Sequence, residues 1–195
     1  MSLLWLFLGL LFLIAAYLVS NYNFFQTSLT RIKASIQEIG NQLKRQADLI
    51  PNLEASAKGY LSHEKGILES LAEARKQIAS AAKSDNPSVQ AGAAGALSDL
   101  LPRLSVIVES NPELKANETI INLMGELRDT ADKIMYARRT LIDLTADYNI
   151  KVVTFPSNIV ANLFSFKEQA GLKLADMENA LSVSPKDVES PKINL

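Results

Sequence analysis

The chain contains no cysteine. That excludes structural disulfides, cysteine zinc sites, iron–sulfur ligation, a thiol nucleophile and a lipid anchor on a cysteine. Histidine occurs once, as His63. A helical bundle that hosts a di-metal carboxylate site draws on two Glu-x-x-His pairs from facing helices, and one histidine cannot supply both. Beside His63, Glu64 and Lys65 provide no ligand spacing for a single metal. No serine has the surroundings of a nucleophile elbow, so a Ser-His-Asp arrangement finds no support. The formal net charge is −1, with 20 Lys and Arg against 21 Asp and Glu, so the electrostatic footprint of a nucleic-acid binder is missing. A Gly-rich phosphate loop, a convincing strand pair and an internal repeat are absent as well. These absences leave no catalytic, cofactor-binding or metal-ligating residue to name, and the expectation is a protein that is not an enzyme.

Charge is also absent from residues 3–19, LLWLFLGLLFLIAAYLV, which hold no strongly polar side chain. A spanning helix needs about 20 apolar residues, with about 17 at the short end of the range. Trp5 and Tyr17 suit the two interfaces. A cleaved signal peptide is the competing reading. It wants a positively charged start and a small-residue cleavage site, and neither is present. The favoured reading is therefore an uncleaved single-pass anchor in the cell (inner) membrane over residues 1–20. No Lys or Arg precedes the apolar run, whereas Arg31 and Lys33 follow it, with Lys44 and Arg45 beyond. The positive-inside tendency then favours a cytoplasmic soluble domain.

Beyond the anchor the apolar residues read Tyr22, Phe25, Leu29, Ile32, Ile36, Ile39, Leu43, Ala47 and Ile50. Steps of three and four mark the seam of a helix. No proline interrupts residues 1–50, so the membrane helix is expected to run into this one and to break at Pro51. A second helix is expected from about Asn52 to Lys83, with Leu53, Ala57, Ile67, Leu68, Leu71, Ile78 and Ala82 on its seam. Asn86-Pro87 carries a start signal. The Ala- and Leu-rich residues 88–110, with Pro102 among them, read as a shorter, kinked or broken connection. Asn111-Pro112-Glu113 repeats the start signal ahead of a helix with Ile120, Met124, Leu127, Ala131, Ile134, Ala137, Leu141, Leu144 and Tyr148. Val152 to Pro156 closes that helix. A last helix with Ile159, Val160, Leu163, Phe164, Phe166 and Leu172 is expected to end near Leu181, and residues 182–195 read as a disordered tail. The economical fold is all-α: the N-terminal transmembrane helix, then an antiparallel bundle of about four long helices over residues 21–181, packed in a left-handed, coiled-coil-like manner.

Three stretches resemble the LemA family. They are QLKRQADLIPNLEASAKGYLSHEKGILESLAEAR at residues 42–75, NPELKANETIINLMGELRDTADKIMYARR at 111–139, and YNIKVVTFPSNIVANLFSFK at 148–167. The short N-terminal anchor looks like that family's too. One departure lies between Ala-Arg-Arg and Tyr-Asn. Family members typically carry aromatics and an Asn there, whereas this chain reads Thr140, Leu141 and Ile142, with Asp143 retained. The resemblance implies a helical-bundle membrane protein without established enzymatic activity, and for some relatives an association with magnetosome membranes.

The remaining candidates are structural or partner-contacting. Arg138 and Arg139 flank the Ile134–Leu141 seam, so an inward Arg138 needs a buried acceptor. Asp48 is the candidate, forming an ion pair that fixes helix register. The alternative is anion or lipid head-group binding by the two arginines. Tyr148, Asn149, Phe155 and Pro156 lie where one helix gives way to the next, either as a turn with packed aromatics or as a partner-docking patch. Glu64, Glu69, Glu73, Arg75 and Lys76 read as a solvated charged face. Residues 90–95 allow close helix contact, contact between subunits included, or form a loosely packed connection. Phe24 and Phe25 lie near the bilayer and suit its interface. Functionally, the expectation is a membrane-anchored scaffold or interaction protein of the cell envelope. Its partners would be the bilayer through residues 3–19, other proteins or further copies of itself, and no nucleic acid. The alternative is a membrane-binding or membrane-shaping module.

Overall fold

A computed structural model describes residues 2–60 and 65–172. The described residues form helices and no strand: α1 (Ser2–Ala57), α2 (Lys65–Ala81), α3 (Pro87–Ser110), α4 (Pro112–Lys115), α5 (Glu118–Val153) and α6 (Ser157–Leu163). The long elements α1, α2, α3 and α5 alternate in direction, and the principal pairing is between α1 and α5. The all-α fold, with a long apolar N-terminal helix leading into helical packing, is as the periodicity implies.

Register follows from two contacts. Phe25 meets Tyr148 edge-on with ring centroids 5.6 Å apart, and Arg45 pairs with Glu126. The two helices are therefore antiparallel and stay in step over most of their shared length. The seam side of α1 buries Phe25, Ile32, Ile39, Leu43, Ile50 and Leu53, and α5 answers with Ile120, Leu127, Ile134, Leu141 and Tyr148. Each such side chain removed from water contributes about 1.5–3 kcal/mol.

Pro51 does not end the first helix; α1 continues through it to Ala57. An interior proline costs about 3 kcal/mol, because it lacks an N–H and crowds the preceding turn. Ile50 and Leu53, both buried, sit on either side of it and together offset about that much. The break comes instead at residues 58–60, where the Tyr60 N–H donates to the Ala57 carbonyl at 3.0 Å. Pro102 is accommodated in the same way. Residues 87–110 form one continuous helix rather than a broken connection, held by buried Leu97, Leu100, Leu101, Leu104 and Val108.

Asn86 caps α3 by accepting from the Ser88 N–H at 2.9 Å. The Asn111-Pro112-Glu113 signal opens only the single turn α4; the long α5 starts one step later, capped by Asn117. Between α2 and α3, the Gln90 side chain donates to the Ser84 carbonyl at 2.6 Å. A Cβ on Gly40 would lie 3.2 Å from that Gln90 nitrogen and 3.7 Å from the Ala82 carbonyl oxygen. Glycine there lets the α2–α3 turn close onto α1. Gln90, Ala93 and Ala94 are buried, so residues 90–95 make a close helix contact within the chain.

Two regions result. From Gly40 to Ala57, α1 is surrounded by α2, α3 and α5, forming a four-helix head. Toward the N-terminus of Gly40 the accompanying elements are α5 and then α6, forming a two-helix stalk. Residues 2–17 are exposed throughout, and in the apolar run only Leu18 packs against the core. By length and composition both α1 and α3 are able to cross a membrane. Part of the apolar stretch of α3 is packed into the head, whereas the apolar run at the start of α1 is bare. Residues 182–195, with the expected end of the last helix near Leu181, lie outside the described residues, as do His63 and Glu64.

Candidate functional site

The expected site residues do not converge on one place. Asp48 is exposed, and Arg138 is half-buried. The antiparallel register sets Asp48 opposite the start of α5 and Arg138 about 14 residues away, roughly 20 Å along the axis at 1.5 Å per residue. The expected ion pair is therefore not formed. Arg138 instead lines a small cleft between α3 and α5 with Ala94, Ser98 and Met135. Arg139 faces solvent. The register-setting pair is Arg45 with Glu126, and the hydrogen bond and charge of Glu126 hold the Arg45 guanidinium above its ordinary pKa. Both side chains are about half exposed, so solvent screening keeps their contribution small. Glu69, Glu73, Arg75 and Lys76 occupy an exposed face of α2, as charged helix surfaces ordinarily do. Among the described residues, no three His, Cys, Asp or Glu side chains come together as a ligand set.

Tyr148 and Asn149 do join an organised site, at the base of the stalk. Phe25 is at its centre. Phe166 stacks on Phe25 at 4.8 Å between centroids, Tyr148 meets it edge-on, and Phe24 flanks it at 5.9 Å. Tyr22 adds an edge contact to Phe164 at 4.9 Å. Phe25 is thus a core residue and not an interfacial one. Phe24 is half-buried beneath the Lys151 ammonium, which stands 4.1 Å from its ring centroid. Burial pushes the Tyr148 hydroxyl up from its ordinary pKa, with the nearby Gln169 side chain opposing the shift. That hydroxyl makes no well-formed hydrogen bond within the described residues.

A strap holds this cluster together. The Asn149 side chain donates to the Gln169 carbonyl at 2.9 Å and accepts from the Gln169 N–H at 2.8 Å. The strap begins where α6 stops: Ser165 adopts a left-handed φ of 58°. The Phe166 N–H then bonds the Ala161 carbonyl at 2.8 Å, and the Ser165 N–H bonds the Asn162 carbonyl at 3.2 Å. These are the two bonds of a Schellman ending. The last helix therefore ends at Leu163, and Phe164 to Leu172 run beside α1 and α5 without helical structure. The two-residue step from Phe164 to Phe166, too short for a helical seam, is the signal that marks the change. Gln169 carried no such signal, because its contribution comes through the backbone.

Phe155 and Pro156 form the turn between α5 and α6, joined by a cis peptide bond. Unlike Tyr148, Phe155 is 79 % exposed. Ser157 anchors the turn by donating to the Lys151 carbonyl at 2.7 Å. Higher on the stalk, a cleft of about 380 Å³ lies between α1 and α5, lined by Arg31, Ser35, Glu38, Tyr136, Thr140 and Leu144.

The model of the LemA family matches residues 35–184, most of the chain, taking in the α1–α5 pair, the strap and the aromatic cluster from one side. The chain belongs to the LemA family. As a LemA-family protein it is also similar to the magnetosome protein MamQ of Magnetospirillum gryphiswaldense, at 25 % identity over 77 % of this chain. It spans 64 % of the length of that relative.

Proposed function

We propose that this LemA-family protein is a membrane-anchored, non-catalytic scaffold of the cell envelope. Residues 3–19 cross the bilayer once, and the head presents helix faces to other proteins or to further copies of the chain. The observation that carries this reading is the continuity of α1, which passes without a break from a bare apolar run into a packed core. Such a helix transmits position rigidly: Ala57 stands roughly 55 Å from residue 20 at 1.5 Å per residue. Arg31 and Lys33, following the apolar run, favour a cytoplasmic head.

Retention of the full chain in membranes through alkaline carbonate extraction is expected, and its release would overturn the anchor. Sidedness is read by replacing Asp85 and Ser190 singly with cysteine in this cysteine-free chain. Protection of both from a membrane-impermeant thiol reagent in intact cells is expected, and labelling of both would put the head outside. Photo-crosslinkers at Arg103 and Val106, both exposed on the head, are expected to give discrete adducts. A chain that gives none and stays monomeric in mild detergent would sink the scaffold reading.

A second reading, a membrane-binding or membrane-shaping module, is favoured by the bare apolar side chains at the stalk base. The magnetosome setting in the name of its relative is consistent with it.

A further inference from the structure

The last turn of α5, the turn after it and α6 leave five apolar side chains exposed: Ile150, Val153, Phe155, Ile159 and Leu163. Ile159 and Leu163, four residues apart on one face of α6, are 55 % and 64 % exposed. On its other side α6 buries Ser157, Val160 and Ala161 completely or nearly so. The helix is therefore held firmly from within while its outer side stays uncovered. Among the described residues Phe155, Ile159 and Leu163 are exposed and do not belong to the hydrophobic core.

Position decides what covers them. Phe25 faces Tyr148, and the helices run antiparallel. Counting one residue against one, Val153 stands level with about residue 20, and the Phe155-Pro156 turn with about residues 17–18. That is the last turn of the apolar run. Leu18, the one residue of that run to pack against the core, marks the same height independently, and Tyr22 in contact with Phe164 places the end of α6 just beyond it. Basic side chains stand on the head side of this band. Lys151 lies over Phe24, and Lys167 is exposed. Asp147 and Glu168 are the acidic neighbours, so attraction to head groups adds little and apolar burial is the main driving force.

We propose that the Phe155-Pro156 turn and the outer face of α6 insert into the head-group–acyl boundary of the same bilayer leaflet from which α1 emerges. This rests on the reading that residues 3–19 span the membrane. Interfacial helices bury their apolar face about 5–10 Å into that boundary, and aromatic residues favour this depth. A span alone leaves a rod free to tilt and to rotate about its axis. A second lipid contact on one side of the span fixes both, and so sets which face of the stalk and head points along the membrane.

The test uses the full chain reconstituted in vesicles of phosphatidylethanolamine and phosphatidylglycerol. Single cysteines replace Phe155, Ile159 or Leu163, with Phe12→Cys as the span control and Asp85→Cys as the head control. Each carries an environment-sensitive fluorophore. The expected result is blue-shifted emission at 155, 159 and 163 that lipids bearing a shallow nitroxide quench strongly and aqueous iodide quenches little. Phe12→Cys is expected to respond to a deep nitroxide, and Asp85→Cys to iodide alone. Quenching at 12 with fully aqueous emission at 155, 159 and 163 overturns the inference and leaves the span intact. Labels shielded from iodide yet untouched by either nitroxide lipid are covered by protein, and this too overturns it. Failure of Phe12→Cys to respond to lipid-borne quenchers rejects the spanning reading itself.

Discussion

The head and the stalk solve the same packing problem with different numbers of helices. In the head, four helices shield an aliphatic interior of Leu43, Ile50, Leu53, Leu71, Ile78, Leu97 and Leu127. Polar residues are enclosed with them: Gln46 and Gln90 are buried, and neither amide oxygen has a partner in the described residues. In the stalk, α1 and α5 have only each other along much of their length, and Tyr136, Ile142 and Ile150 remain exposed on it. Two helices enclose one narrow seam, and the stalk closes its lower end with rings from three segments, Phe25, Tyr148 and Phe166. A helix pair on its own is a marginal structure, so the strap and aromatic plug supply what the missing two helices would have supplied.

The largest effect is expected from removing the centre of that plug. Phe25→Ala deletes a fully buried ring, and such truncations cost about 3–5 kcal/mol. Hydrogen exchange on the full chain in detergent is expected to show loss of protection in residues 134–153 and the α6 region, with α2 and α3 retained. Equal loss in α2 and α3 would mean that stalk and head unfold as one unit, erasing the distinction. The next largest effect has the opposite sign and lies in the head. Gln46 has both amide atoms buried without partners among the described residues, and a buried unsatisfied polar group costs about 1–3 kcal/mol. Gln46→Leu is expected to raise the midpoint of chemical denaturation. A lowered midpoint would show that the amide is satisfied in solution by water or by a neighbour.

How far this division could be read from the sequence depends on what each feature rests on. Ile32, Ile39, Leu43, Ile50, Ile120, Leu127, Ile134 and Leu141 were legible as a core because helical periodicity is a local property, and all are buried. Tyr22 shares that spacing yet stays partly exposed, since at the level of the stalk one partner helix covers only part of the seam. Local backbone preference points to a helix end at Pro51, but the burial of Ile50 and Leu53, a tertiary effect, overrides it. The pairing of Arg138 with Asp48 failed for a related reason: chain direction and register determine which charges meet, and periodicity does not encode register. Of the candidate site, Tyr148, Asn149, Phe155 and Pro156 are legible from their place at the close of α5. Their division into a packed pair and a bare pair needed the strap, whose hold on Asn149 is through the backbone of Gln169.

That hold sharpens the comparison at smaller scale. Asn149→Ala removes both hydrogen bonds to Gln169, each worth about 0.5–1.5 kcal/mol net. The expected outcome is faster amide exchange confined to residues 164–172, with the α1–α5 seam and the head unchanged. If the seam opens together with the strap, the strap is part of the stalk's core rather than a fastening applied to it.

The smallest effect concerns alkaline pH. Burial raises the folded-state pKa of the Tyr148 hydroxyl above its unfolded value, which is near 10 for an unperturbed tyrosine. A raised pKa on an acid that is neutral when protonated means that the folded chain holds its proton at pH values where the unfolded chain has released it. The contribution to stability is therefore fully present below pH about 10 and is lost as pH rises from there toward the folded pKa. Tyr148→Phe keeps the edge contact with Phe25 and removes the titrating group together with its unpartnered hydroxyl. At neutral pH the variant is expected to be as stable as the parent or slightly more so. Above pH 10 (about the unfolded value) its stalk is expected to keep its exchange protection where that of the parent declines. A parent and variant that lose protection in parallel would mean that Tyr148 ionises freely, and that the aromatic plug is more open to water than its packing implies.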